Sequence, residues 1–210
     1  FAHSETNTSP TEANISCSFS GGTLSGTKIA VADGDVANTF IVTANNGSGV
    51  GLYLVDGTAD GIEVEPQSTL DPSRSHASIT FTNTPATELK SDWSDVLSLL
   101  DRAAVLFSFE QVGGAQVSLD EAKKYSLERF AFGKQIGAFQ ALKHKMADMY
   151  VKIELARSNA YYGAWALSTD SNELPIAAAG ARVSASEAYN YASQENIQIH
   201  GGVGFTWEYD

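Results

Sequence analysis

A single cysteine, Cys17, leaves this chain without an internal disulfide, so its cores depend on packing rather than on a covalent framework. Cys17 itself lies in an alternating run, Ile15-Ser16-Cys17-Ser18-Phe19, where a small apolar packing role is expected. Basic residues are also scarce, with 13 Lys and Arg against 25 Asp and Glu and a net charge of −12. That balance excludes a nucleic-acid backbone as partner, because such binding replaces condensed counterions with lysines and arginines. No run approaches the roughly 18 consecutive apolar residues of a membrane-spanning helix. Phe1-Ala2-His3-Ser4-Glu5 has neither the basic stretch nor the apolar core of a signal peptide, and a cytoplasmic protein is expected. The four histidines, His3, His76, His144 and His200, show no metal-ligand spacing, and His144 between Lys143 and Lys145 reads as surface. What the chain does have is 43% apolar residues over 210 positions, enough for one large core or two modest ones.

Near residue 90 the pattern changes from short alternating runs to long stretches with helical spacing. Domains over 1–90 and 91–210 are expected. In the first, Asn14–Phe19, Lys28–Val31, Thr39–Ala44, Gly51–Val55, Ile62–Pro66 and Ser78–Thr82 read as strands. Gly21-Gly22, Asp33-Gly34, Asn45-Asn46-Gly47 and Asp60-Gly61 punctuate them. Such spacing predicts an α+β protein whose first domain is a small antiparallel β-barrel or sandwich, followed by an antiparallel helical bundle. The segment from Asp92 to Phe130 is apolar on most faces, with Gly113-Gly114 in its middle, where close packing or a ligand must offset the loss of helix stability. Phe139, Leu142, Met146, Met149, Ile153, Ala156 and Ala160 form one apolar stripe of a second helix. A third begins after Asn172 with Pro175 in its first turn, carries Ala177, Ala181, Ala185, Ala188 and Ala192 along one side, and stops at Gly201-Gly202.

Two motifs in the second half carry chemistry. Glu128-Arg129-Phe130-Ala131-Phe132-Gly133-Lys134-Gln135 leads through Phe139 to Gln140, and Gln198-Ile199-His200-Gly201-Gly202-Val203-Gly204-Phe205-Thr206 closes the chain's last helical stretch. Taken singly each also fits a plain structural role, Arg129 as a helix-end arginine and the glycines as a helix stop. Together, and with Met146-Ala147-Asp148-Met149, Glu154-Leu155-Ala156-Arg157, Leu24-Ser25-Gly26-Thr27-Lys28, Gly51-Leu52-Tyr53-Leu54-Val55 and Ser78-Ile79-Thr80-Phe81 in order, the sequence resembles the acyl-CoA dehydrogenase family over nearly its whole length.

The resemblance implies an FAD-dependent α,β-desaturation of an acyl-CoA thioester, in an oligomer whose cofactor sites are shared between homo- or heteromeric subunits. It implies FAD contacts from Arg129, Phe132, Gln140, Gln198, Gly201 and Gly202, with Ser4 as a further donor to the flavin. The residue types suit those roles. A guanidinium holds a pyrophosphate in a bidentate manner, glycines admit close approach, a glutamine amide offers donor and acceptor together, and Phe132 supplies an apolar wall.

The sequence also departs from the family pattern. A Trp and a Thr that contact the flavin ring in many members correspond here to Ala30 and Ala32. The Pro-Gly-Ala-Gly-Ser type of loop expected near the N-terminus is replaced by His3-Ser4-Glu5-Thr6-Asn7-Thr8-Ser9-Pro10. One family position for the catalytic base lies beyond Asp210, and the other corresponds to Ala103, so no base is assigned; Asp101 and Glu110 are the nearby carboxylates on the same helix. Phe1 falls where the family's β-domain starts, and the sequence is expected to be a piece of a longer protein. Arg74, in Leu70-Asp71-Pro72-Ser73-Arg74, reads as a turn arginine. Three functions remain open: a flavin-dependent acyl-CoA dehydrogenase, a non-catalytic subunit that completes the FAD site of another chain, and a helical and β scaffold that binds no flavin.

Overall fold

A computed structural model describes residues 1–71 and 73–207. Clustering of contacts divides the chain into two compact units, Phe1–Ser98 and Leu99–Asp210.

The first unit is one mixed seven-stranded sheet, not the antiparallel barrel or sandwich expected. Its strands are β1 (Ser18–Ser20), β2 (Thr23–Ala32), β3 (Thr39–Asn45), β4 (Val50–Asp56), β5 (Ile62–Gln67), β6 (His76–Pro85) and β7 (Thr87–Glu88), in the order β5-β6-β2-β1-β3-β4-β7. Two different strands, β5 and β7, form its edges, so the sheet does not close on itself. The pairs are antiparallel except β1 with β3, which meet in parallel at Ser18 and Asn45. Alternation places Leu24, Val31, Phe40, Val42, Tyr53, Val55, Ile79 and Phe81 in one core.

Two β-bulges tune the central pair. Between Lys28 and Val31, β2 spends three steps against two on β6, and Ala30 carries the extra residue at φ 51°. The inserted residue flips the parity of the strand, so that Lys28 and Val31 are both buried although three positions apart. The opposite imbalance, between Leu24 and Gly26, puts the extra residue on β6, where Asn83 has φ 49°.

The expected strand Asn14–Phe19 is mostly not a strand. Glu12–Asn14 is a 3-10 turn, and pairing begins only at Ser18. The cause is local: the amides of Ser16 and Cys17 donate to the Glu5 carboxylate, at 2.7 and 3.0 Å, instead of to a neighbouring strand. Cys17 is buried in the core, and a side chain at Gly26 would meet its Cα at 2.8 Å, so only glycine admits this close crossing of backbones.

The second unit is built on three long helices, α1 (Trp93–Glu128, which begins in the first unit), α2 (Gln140–Ser168) and α3 (Leu174–His200). Between α1 and α2 lies a short hairpin, β8 (Phe130–Ala131) with β9 (Lys134–Gln135). Val112, Ala115, Leu119 and Ala122 of α1 cluster with Met149, Ile153 and Ala156 of α2 and with Ala185, Ala188, Ala192 and Ile199 of α3. A second cluster joins Val105, Ala166, Leu174, Ala177 and Ala178. The alanine stripe of α3 is fully covered, and small residues let the helices approach closely: a side chain at Gly163 would meet Val105 at 3.1 Å and Ala181 at 3.4 Å. Gly114 has the packing reason its position demands, since a Cβ there would lie 2.8 Å from the Tyr189 ring, whereas Gly113 faces open space. Pro175 sits in the first turn of α3, and Gly201, at φ 64°, caps its end.

Candidate functional site

The end of α1, the β8–β9 hairpin and the end of α3 enclose an open cleft of about 520 Å³ in the second unit. Tyr125, Arg129, Ala131, Ile136, His200, Gly201 and Gly202 are among its lining residues. The volume lies in the range of ligand pockets, about 300–1,000 Å³.

Arg129 is held by its backbone on both sides. Its N–H donates to the Tyr125 carbonyl at 2.9 Å, ending the helix, and its carbonyl accepts from Ile136 at 2.8 Å, starting the hairpin. The Gln135 amide donates to the Leu127 carbonyl, covering another of the helix's terminal acceptors. The guanidinium itself is exposed and makes no ion pair among the described residues, in a chain rich in carboxylates. Also lining the cleft is Gly201, whose amide donates back to the carbonyls of Ile197 and Gln198, so it serves the cap and is not available to a ligand. Gly201 and Gly202 contribute room instead: a Cβ at either position would meet nothing within 4 Å. Tyr125 and His200, both lining the cleft, stack with ring centroids 4.2 Å apart, and His200 Nδ1 lies 2.9 Å from the Asn196 carbonyl. An exposed guanidinium, an unobstructed glycine turn and an aromatic pair lining one cleft are chemistry suited to a phosphate-bearing ligand.

The hairpin tip carries a strained aromatic. Phe132 has φ 52° and Gly133 φ 80°, the pair of positive values of a two-residue hairpin turn that favours Asn or Gly at its first position. Holding a phenylalanine there costs about 1–2 kcal/mol. Its ring is 94% exposed, touching Phe139 edge-on at 6.2 Å, while Lys134 Nζ stands 4.3 Å from the Phe139 ring centre. Backbone strain combined with full exposure makes Phe132 a candidate for contact with a ligand.

Of the sequence-derived residues, the structure brings Arg129, Gly201 and Gly202 together in the cleft. Phe132 is at the hairpin tip, Gln140 is the exposed first residue of α2, and Gln198 is exposed on the last turn of α3; none of these three lines the cleft. Ser4 belongs to the first unit, where its carbonyl accepts from Ile29 at 2.8 Å. Ala30 and Ala32 are exposed on β2 and Ala103 is half-buried on α1. Asp101 is half-buried too, and burial raises its carboxyl above the usual range, whereas Glu110 is exposed. Arg74 is exposed in a turn whose Pro72 lies outside the described residues. No group of three or more metal-binding side chains occurs among the described residues, and no described helix is long and apolar enough to cross a membrane.

Sequence reasoning missed a polar cluster inside the first unit. The Lys28 ammonium is fully buried and donates to Glu5 Oε1 at 2.7 Å, Thr43 Oγ1 at 3.0 Å and the His3 carbonyl at 3.3 Å. His3 Nδ1 shares the Thr43 hydroxyl at 3.1 Å, and the His3 ring stacks on Phe1 and Trp93. Burial alone would raise the Glu5 carboxyl, but hydrogen bonds from Lys28, Ser16 and Cys17 carry it below the usual range. Burial pulls Lys28 down against the pull of Glu5, pulls His3 down with help from Lys28, and pushes the Cys17 thiol up to about 11. The one sequence signal was Lys28 at an inward position of β2, which the Ala30 bulge disguises.

The family model described as acyl-CoA dehydrogenase, C-terminal domain, matches residues 93–210. The acyl-CoA dehydrogenase IpdE2 of Mycobacterium tuberculosis is 37% identical over 186 residues, covering 86% of this chain and 50% of that protein. Among solved structures, a variant of the Tcur3481–Tcur3483 steroid ACAD matches with TM-score 0.83 and 29% identity over 92% of this chain and 53% of that one. Butyryl-CoA dehydrogenase from Megasphaera elsdenii matches with TM-score 0.83 and 26% identity, over 92% of this chain and 55% of its own. The chain thus spans about half the length of the relatives it matches.

Proposed function

The chain belongs to the acyl-CoA dehydrogenase family, and from that premise we propose that it forms part of an FAD-dependent enzyme that desaturates an acyl-CoA thioester between its α and β carbons. The observation that carries the proposal is the cleft that an exposed Arg129, without a carboxylate partner among the described residues, lines together with the open turn at Gly201-Gly202. Bound FAD would supply the hydride acceptor, a role no amino-acid side chain fills. Arg129 would hold the cofactor's pyrophosphate through charge-assisted hydrogen bonds. The glycine turn would leave space for the phosphates, Phe132 would present an apolar wall, and Gln140 and Gln198 would offer amides to ribose or adenine edges. Arg129, Phe132, Gln140 and Gln198 are exposed, which is compatible with cofactor sites shared between subunits of an oligomer. No carboxylate is assigned the role of base.

A second reading has its own support. Small alanines stand at Ala30, Ala32 and Ala103, where ring contacts and a base are expected, while the groups for the phosphate end of the cofactor are intact. The steroid ACAD relative carries two designations in its name, Tcur3481 and Tcur3483. On this reading the chain completes the FAD site of a different subunit and does not itself catalyse.

Reconstitution with FAD, desalting and a visible spectrum separate the two. Flavin bands at close to one FAD per chain support a self-sufficient site and remove the partner-subunit reading. A colourless protein that gains flavin only when mixed with a second family member supports the partner role, and one that gains none in either setting contradicts both.

A further inference from the structure

Lys28 is the only lysine or arginine fully buried among the described residues, and all three of its N–H donors have oxygen acceptors. Two of those acceptors, the His3 carbonyl and the Glu5 carboxylate, flank Ser4 on either side. The grip extends outward from there. Glu5 receives the amides of Ser16 and Cys17, the Ser4 carbonyl receives Ile29 N–H, and Ala2 exchanges hydrogen bonds with Ile41 and Thr43 at 2.8 and 3.2 Å. The backbone around Ser4 is therefore fixed from several directions, while its own hydroxyl makes no hydrogen bond with another described residue. Apolar side chains in place of the whole Lys28–Glu5 pair would stabilise the core as well or better, since buried ion pairs gain little net energy after desolvation. What an apolar side chain would lack is a directional hold on a segment outside the regular strands.

We propose that Lys28 is a positioning residue: by gripping the chain on both sides of Ser4, it fixes that hydroxyl for contact with a bound flavin cofactor. The role at the cofactor rests on the flavin reading above; the grip itself does not. The hydroxyl is thereby preorganised, so its contribution depends on Lys28 even though the two side chains do not meet.

The test compares the full chain with Ser4→Ala, Lys28→Arg, the neutralised pair Glu5→Gln/Lys28→Met, and that pair combined with Ser4→Ala. The neutralised pair leaves no uncompensated buried charge, so the fold is kept. Amide exchange reads the grip and FAD titration reads its consequence. The pair variant is expected to exchange about tenfold faster at Ile29 and Thr43, whose amides donate to the gripped segment, with no change along β4. Lys28→Arg, which keeps the charge, is expected to retain most of that protection. Ser4→Ala is expected to weaken FAD binding several-fold in the native background and to have no further effect in the pair variant. An equal effect of Ser4→Ala in both backgrounds overturns the proposal, as does unchanged exchange at Ile29 and Thr43. Exchange that rises equally throughout the first unit assigns Lys28 a merely structural role and also overturns it. Should the native chain take up no flavin alone or with a partner, the flavin reading fails by that result, while the exchange data still decide the grip.

Discussion

The two units treat positive charge in opposite ways. In the first, Lys28 is sealed inside the sheet and every donor is occupied; in the second, Arg129 is anchored by its backbone and its guanidinium has no carboxylate partner among the described residues. The first arrangement fixes a segment of the protein's own chain. The second leaves binding capacity for an anion from outside. A buried charge answers to the fold and an exposed, held charge answers to a ligand, so the same kind of side chain should respond very differently to removal.

The sharpest break in that comparison comes from removing one partner of the buried pair. Lys28→Met alone is expected to destabilise the first unit by about 3–5 kcal/mol, because the Glu5 carboxylate loses its cationic partner and keeps only the donors of Ser16 and Cys17. Urea unfolding measures this, and Glu5→Gln/Lys28→Met should recover most of the loss. Arg129→Ala should do the reverse, changing stability by less than about 0.5 kcal/mol. Its effect appears in FAD affinity, weakened by about 1.5–3 kcal/mol for a lost charge-assisted contact. Phe132→Asn sharpens the contrast within the hairpin. A residue suited to the left-handed region should stabilise the second unit by about 1 kcal/mol, seen as a higher melting temperature, while lowering FAD retention.

The smallest effect is in pH. His3 titrates below its usual 6.5 in the folded state, so the unfolded chain binds the proton first as pH falls. Stability is therefore lost as pH drops from 6.5 toward the folded value. Glu5 also titrates low, so its contribution is present above the usual carboxylate range and lost only as pH falls through its depressed folded value. Urea midpoints of the first unit should fall in two stages on acidification, and His3→Gln should remove the first stage alone.

The sequence was most readable where one period ran unbroken. The stripe from Leu142 to Ala160 and the alanines from Ala177 to Ala192 lie inside α2 and α3, the elements their spacing predicts. It was least readable where tertiary contacts override alternation. The run Asn14–Phe19 alternates like a strand, yet Glu5 takes its amides, and the Ala30 bulge hides that Lys28 faces the core. Openness of the sheet was also not legible, because closure depends on which strands become edges and not on their individual patterns. The site was partly legible: Arg129 and Gly201-Gly202, far apart in sequence, meet in one cleft, whereas Gln140 and Gln198 lie outside its lining. The resemblance suggested the phosphate-side residues, but spacing alone could not reveal that Phe132 occupies a strained turn or that the Gly201 amide is already engaged in capping α3.

The most direct test of the account is the FAD dissociation constant of Arg129→Ala against the native chain, measured by flavin fluorescence with any required partner subunit present. The account predicts at least about a tenfold weakening at unchanged melting temperature. Equal dissociation constants would contradict it and return Arg129 to the role of an ordinary arginine at a helix end.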